Sequence, residues 1–133
     1  MKILGGEAVN KPGQFPHQVS LQVPRWTPEG IKNMHFCGAT VIHPLILLTA
    51  AHCLVSPNLS LSKVRIVAGE HDLSRNSPAE QIRNIGQHVI HPGWDSKTWE
   101  NDIALLMLDR PLSFDQFTKP IPFATSKQNN TGG

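Results

Sequence analysis

The chain has 133 residues, 12 Lys and Arg against 10 Asp and Glu for a formal net charge of +2, and 39% hydrophobic content. That length and apolar fraction suit one globular domain with a usable core. The charges are scattered with no basic block to track phosphates, and the longest apolar stretch, around residues 45–48, falls far short of the ~20 residues a membrane helix needs, so neither nucleic acid nor a membrane is an expected partner.

Along the chain, Val19, Leu21 and Val23 alternate with Gln18, Ser20 and Gln22, which is the period of a half-buried strand over residues 17–23. Residues 24–32 hold two prolines and a glycine and read as the loop into a second strand near 35–42. A third strand at 46–49 runs through Ala50 and Ala51 into a short turn bearing His52 and Cys53. The small residues let the chain turn sharply there. Strands at 64–68, 81–90 and 103–108 complete a set of six. Six short strands separated by Gly, Pro and Asn, with no amphipathic helix, predict an all-β barrel or sandwich. Residues 128–133 read as a polar tail, so the domain is expected over 3–127.

Two residues stand in settings that point to chemistry. A serine hydroxyl is a poor nucleophile at neutral pH; it needs an imidazole to take its proton during attack and return it to the leaving group. The imidazole needs a carboxylate on its other nitrogen to hold the tautomer and stabilise the imidazolium. His52 ends the segment Leu48-Thr49-Ala50-Ala51-His52, and Asp102 immediately precedes the apolar run 103–108. Neither Ser113 nor Ser126 has the flanking glycines that seat a nucleophile on a tight turn beside oxyanion donors.

Four collinear motifs carry a family resemblance: Ile3-Leu4-Gly5-Gly6, the run from Leu48 to Cys53, Gly69-Glu70-His71-Asp72, and Asn101-Asp102-Ile103-Ala104-Leu105-Leu106. In order and spacing they resemble the trypsin/chymotrypsin-like serine endopeptidases, across nearly the whole chain but only over the first of that family's two barrels. The resemblance implies a six-stranded antiparallel Greek-key barrel, with His52 as general base and acid and Asp102 as its orienting carboxylate. It implies that the nucleophile, the oxyanion hole and the primary specificity pocket belong to a missing second barrel. The chain is therefore expected to be a fragment of an endopeptidase acting on protein or peptide substrates, and inactive alone. The alternative is a non-catalytic, protease-like binding module.

Other positions take their meaning from the same resemblance. Lys2-Ile3 looks like the activation junction, where cleavage frees Ile3 as a new amino terminus. Cys37 and Cys53 stand where the family forms a disulfide; two free thiols are the alternative, since zinc spacing and a redox Cys-x-x-Cys are both absent. Trp99 stands where a side chain lines the second substrate subsite, although Trp94 and Trp99 could equally pack together on an exposed hairpin. Glu70 and Glu80 match carboxylates of a calcium loop, but Ser77 replaces a usual third acid, so the expected reading is a solvated hairpin without a cofactor. The family is secreted, and Met1-Lys2 leaves no room for a signal peptide before Ile3. Asn58-Leu59-Ser60 and Asn129-Asn130-Thr131 fit the glycosylation sequon, in agreement with secretion.

Overall fold

In the computed structural model, which describes residues 15–69 and 79–122, six strands form one closed sheet. They are β1 (Gln18–Thr27), β2 (Gly30–His43), β3 (Ile46–Thr49), β4 (Arg65–Ala68), β5 (Gln81–Ile90) and β6 (Ala104–Leu108). Every pairing is antiparallel, in the order β1-β2-β3-β6-β5-β4, and β4 returns to β1 to close the barrel. The neighbour of β3 is β6, so the chain crosses the barrel between β3 and β4 in the Greek-key manner. Closure decides between barrel and sandwich, and it leaves no strand edge along the core.

The interior is filled by Leu21 of β1, Val41 of β2, Leu47 of β3, Ile66 of β4 and Leu106 of β6, all fully buried. Each such side chain contributes ~1.5–3 kcal/mol by leaving water. Ile85 and Ile90 of β5 pack against this cluster from a more exposed strand. No helix among the described residues is long and apolar enough to cross a membrane.

Two expectations are corrected. Residues 24–32 are mostly strand: the β1–β2 ladder continues from Val23 opposite Met34 to Thr27 opposite Gly30. Pro24 is tolerated because β4 pairs with β1 only as far as Gln22, so among the described residues the outer hairpin is a two-stranded ribbon with no further strand on its edges. Gly30 closes the tip at φ 111°, where Thr27 Oγ1 donates to its carbonyl oxygen at 2.5 Å. The second correction concerns β1, which is not half-buried. Ser20 and Gln22 are as buried as the apolar residues between them. Burial without partners would destabilise them, and the partners are present: Gln22 Nε2 donates to Ser20 Oγ at 3.0 Å, Ser20 Oγ lies 2.7 Å from His35 Nδ1, and Arg65 Nε donates to Gln22 Oε1 at 3.4 Å.

Gly69 ends β4 at φ 76°, and a Cβ there would collide with the carbonyl oxygen of Ala79. Ile3, Glu70, Ser77 and the 128–133 tail lie outside the described residues.

Cys37 on β2 is bonded to Cys53, with the Cα atoms 6.2 Å apart and a sequence separation of 16. The bridge ties the turn after β3 to the neighbouring strand. Replacing both cysteines by alanine should lower the unfolding free energy by about 3 kcal/mol, the loop-closure value for this loop length. Urea titration of the double variant checks this; an unchanged midpoint would show that the barrel does not depend on the bridge.

Candidate functional site

The register of β3 on β6 assembles the site. Ile46 faces Met107 and Thr49 faces Ala104, so the segment leaving β3 and the segment entering β6 emerge at the same end of the barrel. Thr49 anchors its strand end by donating from Oγ1 to the Gly38 carbonyl at 2.8 Å. The chain then tightens into one 3-10 turn over Ala51–Cys53, closed by bonds from the Cys53 and Leu54 amides to the Ala50 and Ala51 carbonyls. Ala51 has no exposed surface, which explains the small residue there. The turn projects the His52 ring outward over the barrel end.

Asp102 meets it from the opposite side. Its Oδ2 lies 2.6 Å from His52 Nδ1, and its Oδ1 accepts from the His52 backbone amide at 2.7 Å. One carboxylate thus grips ring and main chain of the same residue. An ionised carboxylate only accepts, so Nδ1 carries a proton and donates it to Asp102, while Nε2 lies 3.8 Å from the Cys53 sulfur. Burial alone would raise the Asp102 pKa. The hydrogen bonds from the His52 amide and ring, the His52 charge and the Ala51 amide outweigh it and hold the carboxyl below its usual range. Asp102 is 21% exposed and His52 41%. The imidazole borders a cleft of about 280 Å³ that is also bounded by Phe36, Asn58 and Leu59.

The loop 91–103 positions the carboxylate and a neighbouring indole. Asp95 Oδ1 accepts from the Lys97 and Thr98 amides, the Trp99 amide donates to the Asp95 carbonyl at 2.7 Å, and Asn101 Nδ2 donates to the Gly93 carbonyl at 2.9 Å. Trp99 and Asn101 both adopt positive φ, at 62° and 57°. Asparagine tolerates that region, whereas for a bulky indole it is a strained conformation costing ~1–3 kcal/mol. The result is a Trp99 ring tilted 33° against His52 at a centroid distance of 4.7 Å. Trp94 packs edge-on to Trp99 at 5.9 Å, so the indole pair of the second reading is present. Trp99 nonetheless remains 56% exposed.

Cys37, His52 and Cys53 place potential ligand atoms within 4.8 Å of one another, but the two sulfurs are bonded together and offer no thiolate to a metal. Glu80 departs from the solvated reading: it is half-buried, and its Oε2 is buried with no hydrogen-bond partner among the described residues. The sequence pattern did not foretell the grip on the His52 amide, the positive φ at Trp99, or the Ser20–His35 contact. Each depends on where distant backbone lies, and none leaves a local signature.

A family model described as Trypsin matches residues 3–133. The chain is 35% identical over 131 residues to coagulation factor IX of Cavia porcellus, an alignment covering 97% of this chain and 41% of that protein. It is 40% identical over 121 residues to ovochymase-2 of Mus musculus, covering 90% of this chain and 18% of that protein. The chain thus spans less than half the length of these relatives.

Two shifted groups give the barrel end a defined acid response. Burial lowers the pKa of His35 from the ordinary 6.5, so the unfolded chain binds its proton first, and stability falls as pH drops below 6.5 toward the lowered value. Asp102 is also lowered, from 3.8; its contribution is complete above 3.8 and is lost as pH falls through the depressed folded value. Urea unfolding at a series of pH values should show both phases, and His35→Gln should remove the upper one. An upper phase unchanged in that variant would exclude His35 as its source.

Proposed function

The chain belongs to the trypsin family, and from that premise we propose that it supplies the acid–base half of a serine endopeptidase site. The observation that carries the reading is the double hold of Asp102 on His52, at 2.6 Å on the ring and 2.7 Å on the amide. In this reading a serine hydroxyl on a second barrel of the same protease approaches Nε2, the ring's other nitrogen, which here lies 3.8 Å from the Cys53 sulfur. As its oxygen attacks a peptide carbonyl, the hydroxyl proton passes to Nε2, and Asp102 stabilises the resulting imidazolium through Nδ1–H. The imidazolium then returns that proton to the departing amine. Water repeats the cycle on the acyl-enzyme.

His52 without a nucleophile and an oxyanion site performs none of these steps, so the 133 residues by themselves are inactive in this reading. Trp99 forms one wall of the second substrate subsite: its strained backbone holds the indole against His52, where a large side chain narrows the space for the substrate residue. Glu80, whose buried carboxylate oxygen has no hydrogen-bond partner among the described residues, is the part of a calcium loop that the donor chemistry supports, and Glu70 would be its partner. The Cys37–Cys53 bridge supports an extracellular location, since such bonds persist in oxidising compartments. Ile3 serves as the amino terminus released on activation.

A fluorophosphonate probe should leave the isolated chain unlabelled. When the chain is joined to a second barrel of a trypsin-family enzyme, the probe should label that barrel's serine and His52→Ala should abolish the labelling. Asp102→Asn should lower kcat by about 10⁴-fold, the loss known for the same change in the family's reference triad. Stoichiometric labelling of the isolated chain at its own serine, or labelling of the joined protein that ignores His52, would overturn the proposal.

A further inference from the structure

The outer β1–β2 hairpin leaves Trp26 83% exposed and Ile31 58% exposed, on a ribbon that reaches beyond the barrel. Both line a groove of about 270 Å³ that is also lined by Asn58, Leu59 and Lys63. Asn58 begins the triplet Asn58-Leu59-Ser60, which satisfies the sequon for attachment of an N-linked glycan. We propose that Asn58 is an N-glycosylation site and that the first sugars of its glycan lie across the Trp26 face. This inference rests on the extracellular reading given above.

Local geometry favours modification at this asparagine. The Leu59 amide donates to the Ser56 carbonyl at 3.1 Å, closing a turn in which the middle residue of the triplet points inward. Leu59 packs against the core, while Asn58 and Ser60 on either side are exposed. Among the described residues the Asn58 side-chain amide has no hydrogen-bond partner, so a substituent on Nδ2 breaks no contact of the folded barrel. Beside it lies the apolar surface of Trp26 and Ile31, exposed among the described residues. A sugar ring presents polarised C–H groups on one face, and these are attracted to the negative face of an indole by the same quadrupole that draws cations. Arg25 and Lys63, which also line the groove, offer donors for the sugar hydroxyls.

The modifying step needs a lipid-linked oligosaccharide diphosphate as donor, supplied with its transferase in the secretory pathway. Asn58 Nδ2 forms a bond to the anomeric carbon of the first sugar; the anomeric C–O bond breaks, its electron pair leaves with the lipid diphosphate, and one amide proton is released. Asn58 borders both the Trp26 groove and the cleft reaching His52. A glycan there stands at the rim of the site as well as over the hairpin.

The test is to express the full chain behind a heterologous secretion leader in a eukaryotic cell line and release glycans with peptide N-glycosidase in heavy-oxygen water. Because the leader imposes entry into the lumen, the result reads the Asn58 site and not the chain's natural address. Peptide mass spectrometry should find heavy aspartate at position 58. The mark should be lost in Asn58→Gln and Ser60→Ala, retained in Ser60→Thr and retained in Asn129→Gln. Oxidation of Trp26 by hydroxyl radicals should be severalfold slower before glycan release than after, with the half-buried Trp94 unchanged as internal reference. An unmodified Asn58 in the recovered protein would overturn the site, and equal Trp26 oxidation in the two forms would overturn the covering of the hairpin.

Discussion

The register of β3 on β6 is the constraint on which the site depends. Thr49 faces Ala104, so His52, three residues past one strand, and Asp102, two residues before the other, meet although fifty positions separate them. A slip of one residue would turn Leu47 and Leu106 out of the core, and that loss of burial is what holds the register. Barrel closure by β4 on β1 completes the core these side chains share. Core packing and the geometry of the functional pair are therefore one constraint.

On that base the His52–Asp102 pair is held by backbone as much as by side chain. The carboxylate receives the ring N–H and the main-chain N–H of the same residue, so a shift of the ring away from Asp102 requires the turn at Ala51–Cys53 to move too. The turn is in turn fastened to β2 through Cys53 and Cys37. On the other side the 91–103 loop carries strain at Trp99, offset by the hydrogen bonds of Asp95 and Asn101. Rigid elements under the pair and a strained, well-bonded loop above it hold the imidazole in place, with Nε2 3.8 Å from the Cys53 sulfur.

A second polar assembly lies inside the wall of the barrel. Gln22, Ser20 and His35 form a chain of hydrogen bonds across β1 and β2 where the pattern predicts a solvated face. Burial keeps the imidazolium form of His35 disfavoured, so the network is stable with a neutral ring and sensitive to acid. The exposed histidine of the site and the half-buried histidine of this network thus differ in their access to water within one small barrel.

The amino-acid sequence by itself determined the strand content, the family and the identity of the paired residues. Period-2 alternation and apolar runs report which backbone can be half-buried, and short motifs such as Thr49-Ala50-Ala51-His52-Cys53 and Asn101-Asp102-Ile103 retain their order whatever the surroundings. Local pattern failed at residues 24–32, because Pro24 and Gly30 signal a break without revealing that the edge and tip of a ribbon accept both. It failed again at Ser20 and Gln22, whose polarity predicts exposure until His35 and Arg65 arrive from other strands. Strand pattern alone left barrel and sandwich open, the family resemblance implied the barrel, and the closed sheet bears that out; the two-point hold on His52, the contact of Trp99 with the imidazole and the meeting of Asn58 with Trp26 in one groove come from the tertiary structure alone. These are relations between segments distant in the chain, set by which surfaces lose water together, and no window of neighbouring residues contains them.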